Sequence, residues 1–183
     1  MSHGAGHADH GGNKGVALLI SVLALVLAVA EMLGKNAQTA SVHYNVESLN
    51  LWAFFQAKTM RQTTLRTAAE QTAVMTSSEN SKKQIEAWRK TADRYQSEPE
   101  TGEGRDQLMA RAKEAEKKRV QAMAAYHHFE TASAAVQIAI VMASAAIITG
   151  MVALVWISIG LGVVALAFCV IGFWFPTAVH LFG

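Results

Sequence analysis

Two long apolar runs enclose a polar middle that is patterned for helices. From Gly15 to Leu33 the only charge is Glu31, near the far end, and at about 1.5 Å per residue this run matches a hydrocarbon core, so it predicts a transmembrane helix over 14–33. Ala28-Val29-Ala30 has the small-x-small form of a signal-peptide cleavage site, but a single Lys14 makes a poor positive region ahead of it. The second block, Ala132 to Phe175, carries no charge and is long enough for two crossings. They are predicted over 132–157 and 158–176, with Ser158, Gly160 and Gly162 as the turn, Trp156 and Trp174 as boundary aromatics and Pro176 ending the last helix.

The middle segment is rich in Ala, Gln, Glu, Lys, Arg and Met, with Pro99 as its only proline, so it should be almost entirely helical. Its one clear break is a turn over 98–104, Glu98-Pro99-Glu100-Thr101-Gly102-Glu103-Gly104. Before the turn Ile85, Trp88, Ala92 and Tyr95 form one apolar stripe. After it Leu108, Ala112, Ala115, Arg119, Ala122, Tyr126 and Phe129 form another, and the two stripes predict an antiparallel helical hairpin. Ser81 with Gln84 has capping-box spacing, which places a helix start just before Ile85.

Lengths then constrain the arrangement. The arm from Arg105 to Thr131 is about 40 Å as a helix, whereas Lys35 to Ser97 would reach about 95 Å. The helix from about Gln38 to Met75 is therefore expected to lie along the membrane, to bend back, or to cross to a neighbouring subunit. It has two apolar faces: Val42, Val46, Leu49, Ala53, Ala57 and Met60 on one side, and Tyr44, Leu51, Trp52 and Phe55 on the other. The first is expected to take the hairpin of its own chain, and the aromatic face is expected to meet an oligomer partner or the headgroup region.

The predicted fold is all-α. Three transmembrane helices carry a long, mainly helical cytoplasmic domain over 34–131, inserted between the first and second, with a flexible His/Gly-rich tail over 1–13 and a short tail over 177–183. Small residues recur at three- and four-residue steps in two of the crossings: Ala17, Ser21, Ala24 and Ala28 in the first, and Ala132, Ala135, Ala139, Ala143, Ala146, Gly150 and Ala153 in the second. Such seams let membrane helices approach closely, so Ala17, Ser21, Ala24, Ala28, Ala139, Ala143, Ala146 and Gly150 are predicted packing positions.

Charge orients this plan. Of the 16 Lys and Arg residues all but Lys14 lie between Lys35 and Arg119, so the positive-inside rule places the middle segment in the cytoplasm and the N-terminus in the periplasm. Lys113, Lys117, Lys118 and Arg119, just ahead of the second crossing, are candidates for anionic lipid headgroups. Basic and acidic residues otherwise alternate along the helices, which argues against a phosphate groove and a nucleic-acid partner. Glu31, at the end of the first crossing, is expected to reach headgroups or to pair with Lys35.

Four segments together resemble a known family: Asn50-Leu51-Trp52-Ala53-Phe54-Phe55-Gln56-Ala57-Lys58, Arg61-Gln62-Thr63, the turn from Tyr95-Gln96-Ser97-Glu98-Pro99 to Gly102-Glu103-Gly104, and Gln137-Ile138-Ala139-Ile140-Val141. They resemble the bacterial membrane-protein family classified as domain of unknown function 4337, over nearly the whole chain from Lys14 to Pro176. The resemblance implies a bacterial inner-membrane protein and supplies no catalytic residues.

The residues themselves carry little enzyme chemistry. There is no glycine-rich phosphate loop, no His-Glu-x-x-His, no Gly-x-Ser-x-Gly and no strand-like alternation for a nucleotide-binding unit. A lone Cys169 excludes an intramolecular disulfide and any multi-cysteine metal site. His3, His7 and His10 could take a Zn, Cu or Ni ion but lie in a glycine-rich tail that would hold it loosely. His127 and His128 project about 100° apart on one helix, so a single metal does not readily take both. No catalytic residue, cofactor or metal is therefore expected. The expected function is a non-enzymatic, homo-oligomeric scaffold or accessory subunit in contact with membrane lipid and a larger membrane complex, with an oligomeric pore or transporter as the alternative.

Overall fold

The computed structural model describes residues 10–76 and 78–178, and these form four helices and no strand. In chain order they are α1 (His10–Met75), α2 (Glu79–Gln96), α3 (Arg105–Thr149) and α4 (Val152–Trp174). Three of them, α1, α3 and α4, contain stretches long and apolar enough to cross a membrane. The chain divides into two compact units, Met1–Ser41 with Gln121–Gly183, and Val42–Val120. Residues 10–13 already belong to α1, whereas the remainder of the predicted N-terminal tail, with His3 and His7, and the end of the C-terminal tail lie outside the described residues.

In the first unit three helices pack around Leu23 and Ala30 of α1, Ala132, Val136 and Ala139 of α3, and Ala165 of α4. Of the predicted α3 seam, Ala132, Ala139, Ala143 and Ala146 are buried and Ala135 is half-buried, with Val136 buried among them, whereas Ala153 falls on α4 and is exposed. Its α4 counterpart is Ser158, Gly162, Ala165 and Gly172, and the Ser158 hydroxyl donates across the contact to the Ala139 carbonyl at 2.8 Å. Large apolar side chains point outward instead: Leu18, Leu25, Val141, Ile148, Val163 and Phe173 are all more than half exposed. Small residues inside and large apolar ones outside suit helices whose surroundings are hydrocarbon, because lipid tails supply no reason to bury a leucine.

Two sequence expectations are corrected in this unit. The reversal between the second and third apolar helices falls at Gly150 and Met151, not at Ser158, Gly160 and Gly162. Gly150 adopts φ +69°, a left-handed conformation that ends a helix and that glycine reaches without a Cβ penalty, and its N–H donates to the Ala146 carbonyl at 2.9 Å. It is exposed and is not a packing position. In α1, Ala17, Ser21, Ala24 and Ala28 are exposed; the contact with α3 and α4 is made by Leu23 and Ala30, with Leu19, Val26 and Leu27 packed beside them.

The second unit explains how arms of unequal length are accommodated. The stretch of α1 from Val42 to Met75 is lined by α2 over its later part and by the start of α3 over its earlier part. Gln62 and Arg66 of α1 meet Ala92 and Asp93 of α2, while Leu51, Trp52 and Phe55 pack with Leu108, Ala112 and Ala115 of α3. Both α2 and α3 thus run antiparallel to α1, one after the other, and the antiparallel pairing is with α1 rather than between the Ile85 and Leu108 stripes. Two short arms in series match one long arm, so α1 has no need to bend back. The start of α2 lies a turn earlier than the capping-box reading, at Glu79, where the Ser78 hydroxyl accepts from the Ser81 N–H at 3.2 Å.

Candidate interaction surfaces

In the second unit the aromatic face of α1, and not the Val42 face, packs within the chain. Leu51 is buried, and Trp52 and Phe55 are packed beside it against α3. The Trp52 indole N–H donates to Glu116 Oε1 at 2.7 Å, and Trp52 meets Phe55 edge-on with ring centroids 5.4 Å apart. The Lys118 ammonium lies 5.8 Å from the centre of the Tyr44 ring. Leu51, Trp52 and Phe55 are therefore engaged within the chain, and Tyr44 lies beside Lys118 of α3. The other face is uncovered: Val42, Val46, Leu49 and Met60 are 51–71% exposed, and Ala53 and Ala57 between them are exposed as well. Amphipathic periodicity marks both faces equally; what decided between them is that indole and phenyl rings fill the gap opposite the small residues Ala112 and Ala115 of α3.

Where α1, α2 and α3 meet, a polar cluster fixes their relative positions. Gln62, 2% exposed, donates to the Ala92 carbonyl at 2.9 Å and accepts from the Arg105 guanidinium, which also donates to Gln96 Oε1 at 3.0 Å. The same guanidinium lies 5.0 Å from the Phe55 ring centre. Lys58, 7% exposed, pairs with Glu98 at 3.3 Å and with Glu103 at 3.7 Å. Gly102 at φ +68° and Gly104 close the turn; a Cβ on Gly104 would collide with the Glu98 backbone nitrogen and lie 2.8 Å from the Ser97 Cα. Apart from Arg105 Nε, which is buried without a hydrogen-bond partner, the polar groups described here hold three helices together, which is an architectural use. The sequence marks the turn as a helix break but Gln62 only as part of the family resemblance; a glutamine in a buried register position was the available signal.

Lys113, Lys117, Lys118 and Arg119 are all exposed on α3, as a basic surface requires. In the first unit His128 is 1% exposed; its Nε2–H donates to the Pro176 carbonyl at 3.1 Å, tying α3 to the residues after α4, and its ring stacks with Phe168. His127 instead lies beside Glu130, with Nδ1 3.6 Å from Oε2, so the two histidines serve different neighbours. Among the described residues no group of three His, Cys, Asp or Glu side chains could hold a metal ion.

A cleft of about 330 Å³ opens between α1 and α3 in the same unit. Its floor is Ala30, Gly34 and Phe129, and its rim carries Glu31, Lys35, Gln38, Tyr126, Glu130 and Ser133. Gly34 lies against Phe129 here: a Cβ at that position would stand 3.4 Å from the Phe129 Cβ. The Tyr126 hydroxyl donates to Glu130 Oε1 at 3.1 Å, and this hydrogen bond, then the negative charge of Glu130, and last a little burial, raise the phenol above its ordinary value. Glu31 and Lys35 make no ion pair with each other or with any other described residue, so the expected Glu31–Lys35 pair is not formed.

Fold and surfaces together define an all-α protein whose three longest apolar stretches can cross a membrane and whose polar residues are placed for packing and contact. A family model described as Domain of unknown function (DUF4337) matches residues 12–175, and the chain belongs to that family. No protein with a curated description and no solved structure matches the chain significantly.

Proposed function

We propose that the protein is a non-enzymatic scaffold or accessory subunit of the bacterial inner membrane. It forms a homo-oligomer and presents the helices of residues 42–120 on the cytoplasmic side to protein partners of a larger membrane complex or to lipid. The observation that carries this reading is the uncovered apolar stripe Val42, Val46, Leu49, Ala53, Ala57 and Met60 on α1. Its three- and four-residue spacing is that of a helix seam, and a second copy of the same stripe is the simplest surface that would remove it from water. The basic group Lys113, Lys117, Lys118 and Arg119 orients the domain toward the cytoplasm and toward anionic headgroups.

Disulfide cross-linking in native membranes tests the seam. With Cys169→Ser as background, Val46→Cys and Leu49→Cys should each give covalent dimers on oxidation, whereas Ala110→Cys, exposed on α3, should not. Absence of dimers at every position of the stripe would overturn the oligomer. The pore or transporter alternative draws less support: the hydroxyls of Ser21, Ser144, Thr149 and Ser158 all donate to backbone carbonyls of their own chain, so none of them has its proton left to offer a solute.

A further inference from the structure

We infer that the α1–α3 cleft of the first unit is a binding site for a phospholipid whose headgroup is a phosphate ester bearing a primary ammonium, that is, an ethanolamine phospholipid. The inference rests on the membrane-spanning reading of α1 and α3 but not on the oligomer. The cleft lies where both helices change from apolar to polar: the apolar run of α1 ends at Leu33, and that of α3 begins at Ala132. A lipid headgroup occupies that level of a bilayer.

The rim is matched to a zwitterion. Glu31 and Glu130 offer two carboxylates and the Tyr126 ring a third surface attractive to a cation, while Lys35, one helical turn from Glu31, offers a single ammonium for the phosphate. A purely anionic headgroup would meet two carboxylates against one lysine, and a bare cation would leave Lys35 without use. A primary ammonium has three N–H donors for the two carboxylates, which a trimethylammonium lacks. Tyr126 holds one oxygen of Glu130 and leaves the other to accept from a ligand or from His127. The apolar floor of Ala30, Gly34 and Phe129 continues the site toward the acyl chains, and its volume is within the range of small-ligand clefts.

The test uses the full chain, delipidated in detergent and offered equal amounts of dioleoyl phosphatidylethanolamine, phosphatidylcholine and phosphatidylglycerol, with bound lipid counted by native mass spectrometry. Ethanolamine lipid should be retained over the other two by about five- to tenfold. Glu31→Gln and Glu130→Gln should each abolish the preference for ethanolamine over choline, Lys35→Gln should lower retention of both zwitterionic lipids, and Glu47→Gln, in the other unit, should change nothing. Soluble phosphoethanolamine at the same concentration should not displace the lipid, because the acyl chains contribute to binding. Equal retention of the three lipids, a preference for phosphatidylglycerol, a preference unchanged in both carboxylate variants, or displacement by the free headgroup would each overturn the assignment.

Discussion

The Trp52 indole is hydrogen-bonded to Glu116, 64 residues away in the chain, with its ring held on the α1–α3 contact of the second unit. This one pair fixes which side of α1 faces inward. Trp52→Phe keeps an aromatic ring and loses the hydrogen bond, so it should cost about 1 kcal/mol. Trp52→Ala also removes the ring from a packed contact and should cost about 3 kcal/mol. Thermal unfolding of the full chain in detergent reads both, and because the side chain is internal, Trp52→Phe should leave the mass of the assembly unchanged.

The turn between α2 and α3 separates two reasons for glycine. Gly102 has a positive φ but open space around a notional Cβ, so Gly102→Ala should cost only the backbone strain, about 1 kcal/mol. Gly104 sits against the backbone of Ser97 and Glu98, which cannot give way as a side chain can. Gly104→Ala should therefore be the more damaging, by about 2 kcal/mol or more, and it should loosen Lys58 from Glu98. Comparative thermal denaturation of the two variants measures the order.

Along α4 the glycines should differ in the same manner. Gly160 has nothing within 4 Å of a notional Cβ, so Gly160→Ala should be neutral or slightly stabilising. A Cβ on Gly172 would lie 2.9 Å from the His128 Cβ and 3.2 Å from the Phe129 ring. Gly172→Ala should push α4 from α3, weaken the His128–Pro176 hydrogen bond and lower the unfolding temperature of the chain.

Tyr126 should ionise above the ordinary tyrosine value of about 10, because Glu130 accepts its proton in a hydrogen bond and opposes a second negative charge. The folded chain then holds this proton more tightly than the unfolded chain. The associated stabilisation is present below the ordinary value and is lost as pH rises through the higher folded one. Glu130→Gln should return the phenol toward the ordinary value, which ultraviolet titration of phenolate absorbance detects by difference from the parent chain.

The helical content, the three crossing-length apolar stretches, the buried alanines of α3 from Ala132 to Ala146 and the 98–104 turn were legible because each rests on local chemistry: periodicity, run length, and Pro and Gly at a break. The misreadings share a cause, which is that periodicity identifies a face without identifying what covers it. Gly150 and Gly162 illustrate this: both are small residues in an apolar run, yet Gly150 turns the chain and Gly162 packs against Leu23. Val46 and Trp52 illustrate it again on α1, where the larger rings went inward because α3 presents alanines to them. The cleft at Glu31 and Glu130 was illegible for another reason, since it joins two helices nearly a hundred residues apart in the chain.

On the proposed function, the uncovered α1 stripe is closed by another copy of the same chain. The direct measurement is the mass of the full-length protein extracted from its membrane in native lipid discs, compared with that of Val46→Lys combined with Leu49→Lys. The parent should show a single discrete multiple of the chain mass and the double variant a shift to the monomer, with helical content retained in both. A parent chain that is monomeric under these conditions, or a double variant that assembles as well as the parent, would contradict it.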